Sequence, residues 1–258
     1  TFQLLLLKMG RFDGKVAVIT GGTAGIGLAI AERLGSEGAT VVVSSRRQKN
    51  VDAALQQLKS QNIKCFGIAL HSGKSSEIKK LIDFTVDNCQ KIDILVPNAA
   101  TNPFFGNILD STEAQWDKIY QVNLKGVFLL CKEAVPFMAK GGSIVVNSSI
   151  GGYLVSNPLG VYNIMKTALI GLTHLLAESV AHKGIRVNGI APGLIPTKFS
   201  SALTNNKIGL DMFMKQCPMK RTGKPSECAS VVAFLASEDA SYVSGETIII
   251  AGGQRARL

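Results

Sequence analysis

This sequence predicts an α/β fold in which a doubly wound parallel sheet carries helices on both faces, and three observations carry that prediction. Short apolar runs recur along the 258 residues, separated by segments of helix length, and strands buried on both faces read as such continuous runs. The first run ends in a glycine-rich turn that opens an apolar helical stretch. A composition of 46% hydrophobic and 18% charged residues suits one α/β unit with a substantial core.

The elements follow in order. Lys15 to Thr20 reads as a short buried strand, Gly21-Gly22-Thr23-Ala24-Gly25-Ile26-Gly27 as the turn, and Leu28 to Leu34 as the helical run. Thr40 to Ser44, Ile63 to Ala69, Ile92 to Val96, Ser143 to Asn147, Arg186 to Ile190 and Thr247 to Ala251 supply the further strands. Right-handed crossovers then wind helices over both faces. A ligand of such a sheet lies at the carboxyl ends of its strands, where the strand order reverses. Asn98, Ser149 and Pro192 each follow a predicted strand and so converge on that edge.

Glycines at 21, 25 and 27 permit a tight turn, close backbone approach to a pyrophosphate and packing of helix on sheet. The helix N-terminus then offers free N–H groups and partial positive charge to the phosphates. About 20 residues further on, an NAD site places a carboxylate on the ribose 2′-OH. Ser45-Arg46-Arg47 stands at that strand end instead, and the next carboxylate is Asp52. Guanidinium forks match a 2′-phosphate, which makes NADP(H) the expected cofactor; the alternative is a solvated helix start.

A second constellation is Tyr162 and Lys166, with Ser149 thirteen residues ahead of the tyrosine. Spacing of i and i+4 puts phenol and ammonium on one helix face. A nearby positive charge favours the phenolate and lowers a tyrosine pKa from its usual value of about 10, and the serine hydroxyl can hold a substrate oxygen against the phenol. An ordinary amphipathic helix matches the same spacing, so the pattern gains its meaning from the cofactor turn beside it.

Together, and in this order, the motifs resemble the short-chain dehydrogenase/reductase family along essentially the whole chain after Met9. Thr20-Gly21-x-x-x-Gly25-x-Gly27, Asn98-Ala99-Ala100, Asn123, Ser149 with Tyr162 and Lys166, and Pro192-Gly193-Leu194-Ile195-Pro196-Thr197 carry the resemblance. It implies a Rossmann-like fold and a catalytic set of Asn123, Ser149, Tyr162 and Lys166. The implied cofactor contacts are Thr20, Gly21, Thr23, Gly25, Ile26, Gly27, Ser45, Arg46, Arg47, Asn50, His71, Asn98, Ala99, Ala100, Tyr162, Lys166, Pro192, Gly193, Ile195 and Thr197. Substrate contacts fall to Ser149, Leu159 and Tyr162. Asn123 is expected to bend its helix and hold a water that links Lys166 to solvent; its other reading is an interior asparagine satisfied by backbone. The sequence departs from the family pattern at Pro97, Ala100 and His71.

Finer matches, among them Asn102-Pro103-Phe104-Phe105-Gly106 and Glu238-Asp239-Ala240-Ser241-Tyr242, resemble the animal branch of peroxisomal NADP-dependent retinol dehydrogenase/carbonyl reductases. The reaction implied is reduction of apolar or aromatic ketones, α-dicarbonyls or retinoids. By family analogy, Leu194 to Gly223 forms a lid, with Met212, Phe213, Met214 and Met219 as pocket candidates. Phe104, Phe105, Tyr153, Leu154, Ser156 and Leu159 are further wall positions. A homotetramer packed through the helices of Asn123 and Tyr162 and through the last strand is implied as well. Ala256-Arg257-Leu258 resembles a small-basic-leucine peroxisomal address, which makes the peroxisomal import receptor an expected partner, with a cytoplasmic protein as the alternative.

Other function classes find less support. The net charge of +10 is spread along the chain with no long basic run, so nucleic acid is not an expected partner. His71, His174 and His182 show no metal-ligand spacing, and five cysteines without a C-x-x-C pair read as free thiols. No uninterrupted run of about 20 apolar residues predicts a membrane span. Residues 1–9 read as a remnant or tail and 10–258 as the single catalytic domain. A reductase of 3-oxoacyl thioesters and a non-catalytic dinucleotide-binding regulator remain the alternatives.

Overall fold

Val16–Thr20 (β1) is buried at every position because alternate side chains of a strand point to opposite faces and both faces are covered. Ala17 and Ile19 pack with Ile30, Leu34 and Val232 on one side, whereas Val16 and Val18 pack with Ile78, Leu81 and Leu130 on the other. In the computed structural model, residues 10–205 and 207–256 are described; the expected remnant at 1–9 and the last two residues of the expected peroxisomal address lie outside them.

The elements alternate along the chain: β1, α1 (Gly25–Ser36), β2 (Thr40–Ser45), α2 (Gln48–Ser60), β3 (Cys65–Ala69), α3 (Ser75–Cys89) and β4 (Ile92–Val96). There follow α4 (Glu113–Tyr120), a π-helical turn over Gln121–Lys125, α5 (Gly126–Ala134), β5 (Met138–Asn147), α6 (Gly160–Val180) and β6 (Arg186–Pro192). α7 (Ser201–Thr204), α8 (Lys207–Gln216), α9 (Pro225–Ala236) and β7 (Thr247–Ile250) complete the chain. The seven strands form one parallel sheet in the order β3-β2-β1-β4-β5-β6-β7. The chain leaves β1 toward β2 and β3, then returns to β1's other side with β4, so the order reverses between β1 and β4.

All seven expected strands are present, Ile92–Val96 at its expected bounds and the others with shifted ends. β3 begins at Cys65 rather than Ile63, because Ile63 is apolar for another reason: a side chain at Gly35 of α1 would overlap it, so it fills the gap under that helix. β5 begins at Met138, five residues early, and its pairing with β4 jumps from Ile92↔Met138 to Ile94↔Ser143 around Gly141 at φ +83. The stretch 160–183 is long and apolar enough by composition to cross a membrane. It carries the buried Lys166, however, and its Leu169, Ala177 and Val180 belong to the core.

Buried polar groups fix the strand starts. Asp93, 3% exposed, accepts the Val16 N–H at 2.9 Å and pairs with Lys91 at 3.0 Å. Arg186 donates to the carbonyls of Leu235 (2.8 Å), Ser237 (2.9 Å) and Val243 (3.3 Å), at the C-terminal end of α9 where free carbonyls and the helix dipole favour a cation. Arg186→Met is expected to destabilise the protein by roughly 2 kcal/mol, as for a hydrogen bond to a charged group, lowering Tm by about 4–8 °C at this chain length. Calorimetry showing an unshifted transition would remove Arg186 from the set of groups that hold β6 to α9.

Candidate active site

A line of hydrogen bonds runs across the carboxyl ends of the central strands. Thr20, the last residue of β1, accepts the N–H groups of Asn98 and Ala99 on its Oγ1 at 3.1 and 3.2 Å. The Asn98 Nδ2 donates back to the carbonyls of Thr20 (2.8 Å) and Gly21 (3.2 Å). Asn147, at the end of β5, donates its Nδ2 to Asn98 Oδ1 at 2.7 Å, and its own carbonyl accepts the Lys166 Nζ at 2.6 Å. One polar chain thus ties β1, β4, β5 and α6 together where the strand order reverses.

Lys166 therefore faces the sheet edge, and one helical turn earlier Tyr162 lies beside it, with Nζ 5.5 Å from the phenol ring centroid. Ser149 caps the short turn Ile150–Gly152, its Oγ accepting the Gly151 N–H at 3.0 Å, and its hydroxyl is near enough to that of Tyr162 to favour the phenolate. Tyr162 is 8% and Lys166 3% exposed. Burial penalises both charged forms: it pushes Tyr162 up to about 12, against the Ser149 hydroxyl that pulls it down, and Lys166 down to about 7. The sequence pattern led us to expect the ammonium to lower the tyrosine. Burial raises it instead, and the phenol keeps its proton at neutral pH.

Asn123 is 1% exposed in the π-helical turn. Its Oδ1 accepts the Thr101 N–H and its Nδ2 donates to the Thr101 carbonyl, both at 2.8 Å. The helix is irregular there, and the side chain is satisfied by backbone.

Ser149, Tyr162 and Lys166 open into a cleft of about 660 Å³ that Asn123 does not line. Toward β2 it is lined by the turn residues Gly21, Thr23, Gly25, Ile26 and Gly27, and by Ser45, Arg46 and Asn50; toward β5 and α6 by Ser149, Leu159, Tyr162 and Lys166. Asn98, Ala99, Ala100, Pro192, Gly193, Ile195 and Thr197 also contribute to the wall. The turn fits a dinucleotide pyrophosphate. Gly21 and Gly25 have φ of +62 and +55, and a side chain at Gly27 would overlap the Gly21 carbonyl. α1 has no side-chain cap at Ala24, so its first N–H groups are available to an anion.

Some expected residues are placed elsewhere. Thr20 is 3% exposed and engaged in the strand bracket, outside the cleft lining. Arg47 is the exposed N-cap of α2, and among the basic pair only Arg46 lines the cleft. His71 folds into its own turn, with Nδ1 accepting the Gly73 N–H at 3.1 Å, while its neighbours Leu70 and Ser72 line the wall. Of the pocket candidates, Phe105, Leu154, Ser156 and Phe213 reach the cleft, and Phe104, Tyr153, Met214 and Met219 do not; the Met212 side chain lies outside the described set. Ser72 was within reach of sequence reasoning, three positions past Ala69, which ends the register of β2 with β3. Phe199 was not: its ring stands 5.6 Å from that of Tyr162 through a contact no motif announces. Among the described residues no group of three or more His, Cys, Asp or Glu is arranged to hold a metal ion.

Residues 21–255 match a family model described as Enoyl-(Acyl carrier protein) reductase. The chain is similar to Dehydrogenase/reductase SDR family member 4 of Mus musculus, 48% identical over 98% of this chain and 91% of that protein. It is also 48% identical to Tropinone reductase-like 3 of Erythroxylum coca, over 96% of each. In three dimensions it resembles a short-chain dehydrogenase/reductase of Brucella melitensis described as glucose/ribitol dehydrogenase, with a TM-score of 0.90, 35% identity, and coverage of 96% and 99% of the two chains. Near-half identity along almost the full length to Dehydrogenase/reductase SDR family member 4, with a family model over residues 21–255 and a fold shared with a solved short-chain dehydrogenase/reductase, makes this chain a member of the short-chain dehydrogenase/reductase family.

Proposed function

We propose that the protein is an NADP(H)-dependent carbonyl reductase, with residues 10–258 as its single catalytic domain. The observation that carries this reading is one cleft with a neutral, buried Tyr162 phenol beside Ser149 and Lys166 toward one end and an arginine, with no carboxylate, toward the other. The cofactor, when bound, supplies hydride to the carbonyl carbon. Tyr162 delivers the proton to the carbonyl oxygen, or takes the alcohol proton in reverse. Ser149 already accepts a backbone N–H, so its hydroxyl proton is directed to the substrate oxygen and stabilises charge developing there. Lys166, with a pKa near 7, exchanges protons readily at neutrality; it would hold the nicotinamide ribose and recharge the tyrosine. Because the Asn123 side chain is committed to Thr101, a water linking Lys166 to solvent would be held by the Asn123 main chain in the π-helical turn.

Arg46, with Ser45 and Asn50 beside it, would take the 2′-phosphate. Phe105, Leu154, Leu159, Phe199 and Phe213 give the substrate end an apolar wall, which suits ketones, α-dicarbonyls, aromatic carbonyls or retinoids. The name of the relative Tropinone reductase-like 3 supports a carbonyl substrate. An acyl-CoA panel separates this activity from reduction of 3-oxoacyl thioesters, and NADPH consumption separates it from a non-catalytic regulator. Exposed Tyr120 and Phe128 on α4 and α5 and Leu175 on α6 suit burial in the implied homotetramer, which the molar mass measured by light scattering tests.

Tyr162→Phe keeps the ring and removes the proton. Turnover is expected to fall by at least about 10², with NADPH affinity, read by fluorescence, little changed; substantial surviving turnover would reassign the donor.

The asymmetry between the two arginines sharpens the cofactor expectation. Arg46→Ala should weaken NADPH by about tenfold and leave NADH unaffected, while Arg47→Ala should matter less. Dissociation constants at fixed ionic strength check this, because exposed charges are screened. Equal weakening of both cofactors by Arg46→Ala would show a structural role.

We further propose peroxisomal delivery through Ala256-Arg257-Leu258. Deleting Leu258 should leave purified activity unchanged and turn a tagged protein cytosolic; import that persists would rule the signal out.

A further inference from the structure

Asn163 follows the catalytic tyrosine and is 2% exposed, yet its Oδ1 is a buried acceptor without a hydrogen-bond partner. The orientation of the amide is fixed by its other end, since Nδ2 donates to the Ser156 carbonyl at 3.0 Å. That carbonyl belongs to the loop between the Ser149 turn and α6, which supplies Leu154, Ser156 and Leu159 to the cleft wall. The free oxygen is turned toward Gly151, where a methyl group would overlap it. Gly151 in turn donates its N–H to Ser149 Oγ. One side chain on α6 thus touches both the turn that orients Ser149 and the loop that walls the substrate.

We infer that Asn163 is a positioning residue that sets Ser149 and the substrate loop in register with Tyr162. The inference rests on the carbonyl-reductase reading for its kinetic consequence, but its geometry stands apart from it. The amide is rigidly mounted, because the Asn163 N–H donates to the Leu159 carbonyl at 2.9 Å within the first turn of α6. A donor to Ser156 O and an acceptor pressed on Gly151 leave it no other rotamer that serves both. An apolar residue of similar size would fill the space without an unpaired oxygen, but would release the loop carbonyl. None of these contacts is made to the glycine turn or Arg46, so NADPH affinity is expected to change little.

The test compares wild type with Asn163→Ala, Asn163→Asp, Gly151→Ala and the Gly151→Ala/Asn163→Ala double variant, using NADPH and an aromatic α-diketone. Asn163→Ala is expected to lower kcat at least about tenfold and raise KM, with the NADPH dissociation constant within about twofold of wild type. Asn163→Asp keeps the shape but loses the donor, and should be impaired alike. Gly151→Ala should be impaired by the overlap, and removing the Asn163 amide should restore part of its activity, a non-additivity that marks direct contact. Unchanged kinetics in Asn163→Ala, a wild-type-like Asn163→Asp, or strictly additive losses in the double variant would overturn the inference. Hydrogen exchange of the amides from 151 to 159, measured with no substrate, reads the bridge independently: faster exchange in Asn163→Ala supports it and unaltered exchange refutes it. A wild type that reduces no carbonyl would end the carbonyl-reductase reading while leaving this last comparison decisive.

Discussion

The bond from Lys166 Nζ to the Asn147 carbonyl, 2.6 Å long and 3% exposed at the lysine, is the constraint on which the site depends. It is the last link of a chain that begins at Thr20 and passes through Asn98 and Asn147. Parallel strands end in carbonyls and N–H groups that have no ladder partner, and a buried backbone group left unpaired is destabilising by about 1–3 kcal/mol. Side chains of Thr20 and Asn98 satisfy those groups across the gap where the strand order reverses. The same bonds that finish the sheet therefore set the position of Lys166, and with it the face of α6 that carries Tyr162.

Burial on this edge decides protonation. A tyrosine and lysine four residues apart on an exposed helix face would titrate near their ordinary values, but here both lose solvent and the shifts converge from opposite directions, the phenol to about 12 and the ammonium to about 7. The resting pair is a neutral acid next to a group that gains or loses its proton near neutrality. That is the arrangement a carbonyl reduction calls for, since the donor must hold its proton until charge grows on the substrate oxygen. A phenolate held permanently by an ammonium would have nothing to give.

Much of this was legible in the sequence, and the particular residues show why. The strands announced themselves as apolar runs because helices cover both faces of the sheet; the glycines at 21, 25 and 27 announced the turn because only they tolerate its backbone and its close approaches. Spacing alone put Tyr162 and Lys166 on one face. What spacing could not give was direction: that Arg46 would line the cleft while Arg47 capped α2, that His71 would bond its own turn, or that Thr20 would point into the bracket. Neighbouring residues at a strand end diverge by rotations that depend on tertiary contacts, and a motif carries no record of them. Nor did the sequence reveal that Ile63 packs beneath α1 as part of a loop, because an apolar residue before a strand reads as the strand's first.

The cleft is thus made of two kinds of wall. Its floor, from Gly21 to Lys166, is bonded into the sheet edge. Its cover comes from the segment after β6, which reaches the floor at two places: Thr197, whose Cγ2 lies where a side chain on Gly25 would come within 2.9 Å of it, and Phe199, whose ring tilts 44° against Tyr162. The one contact bears on the glycine turn and the other on the Tyr162 ring. A cover seated on both ends joins the apolar end of the cleft to the glycine turn, so that under the proposed reading a change at Phe199 bears on the phenol as well as on the substrate wall, whereas a change at Phe213 bears on the wall.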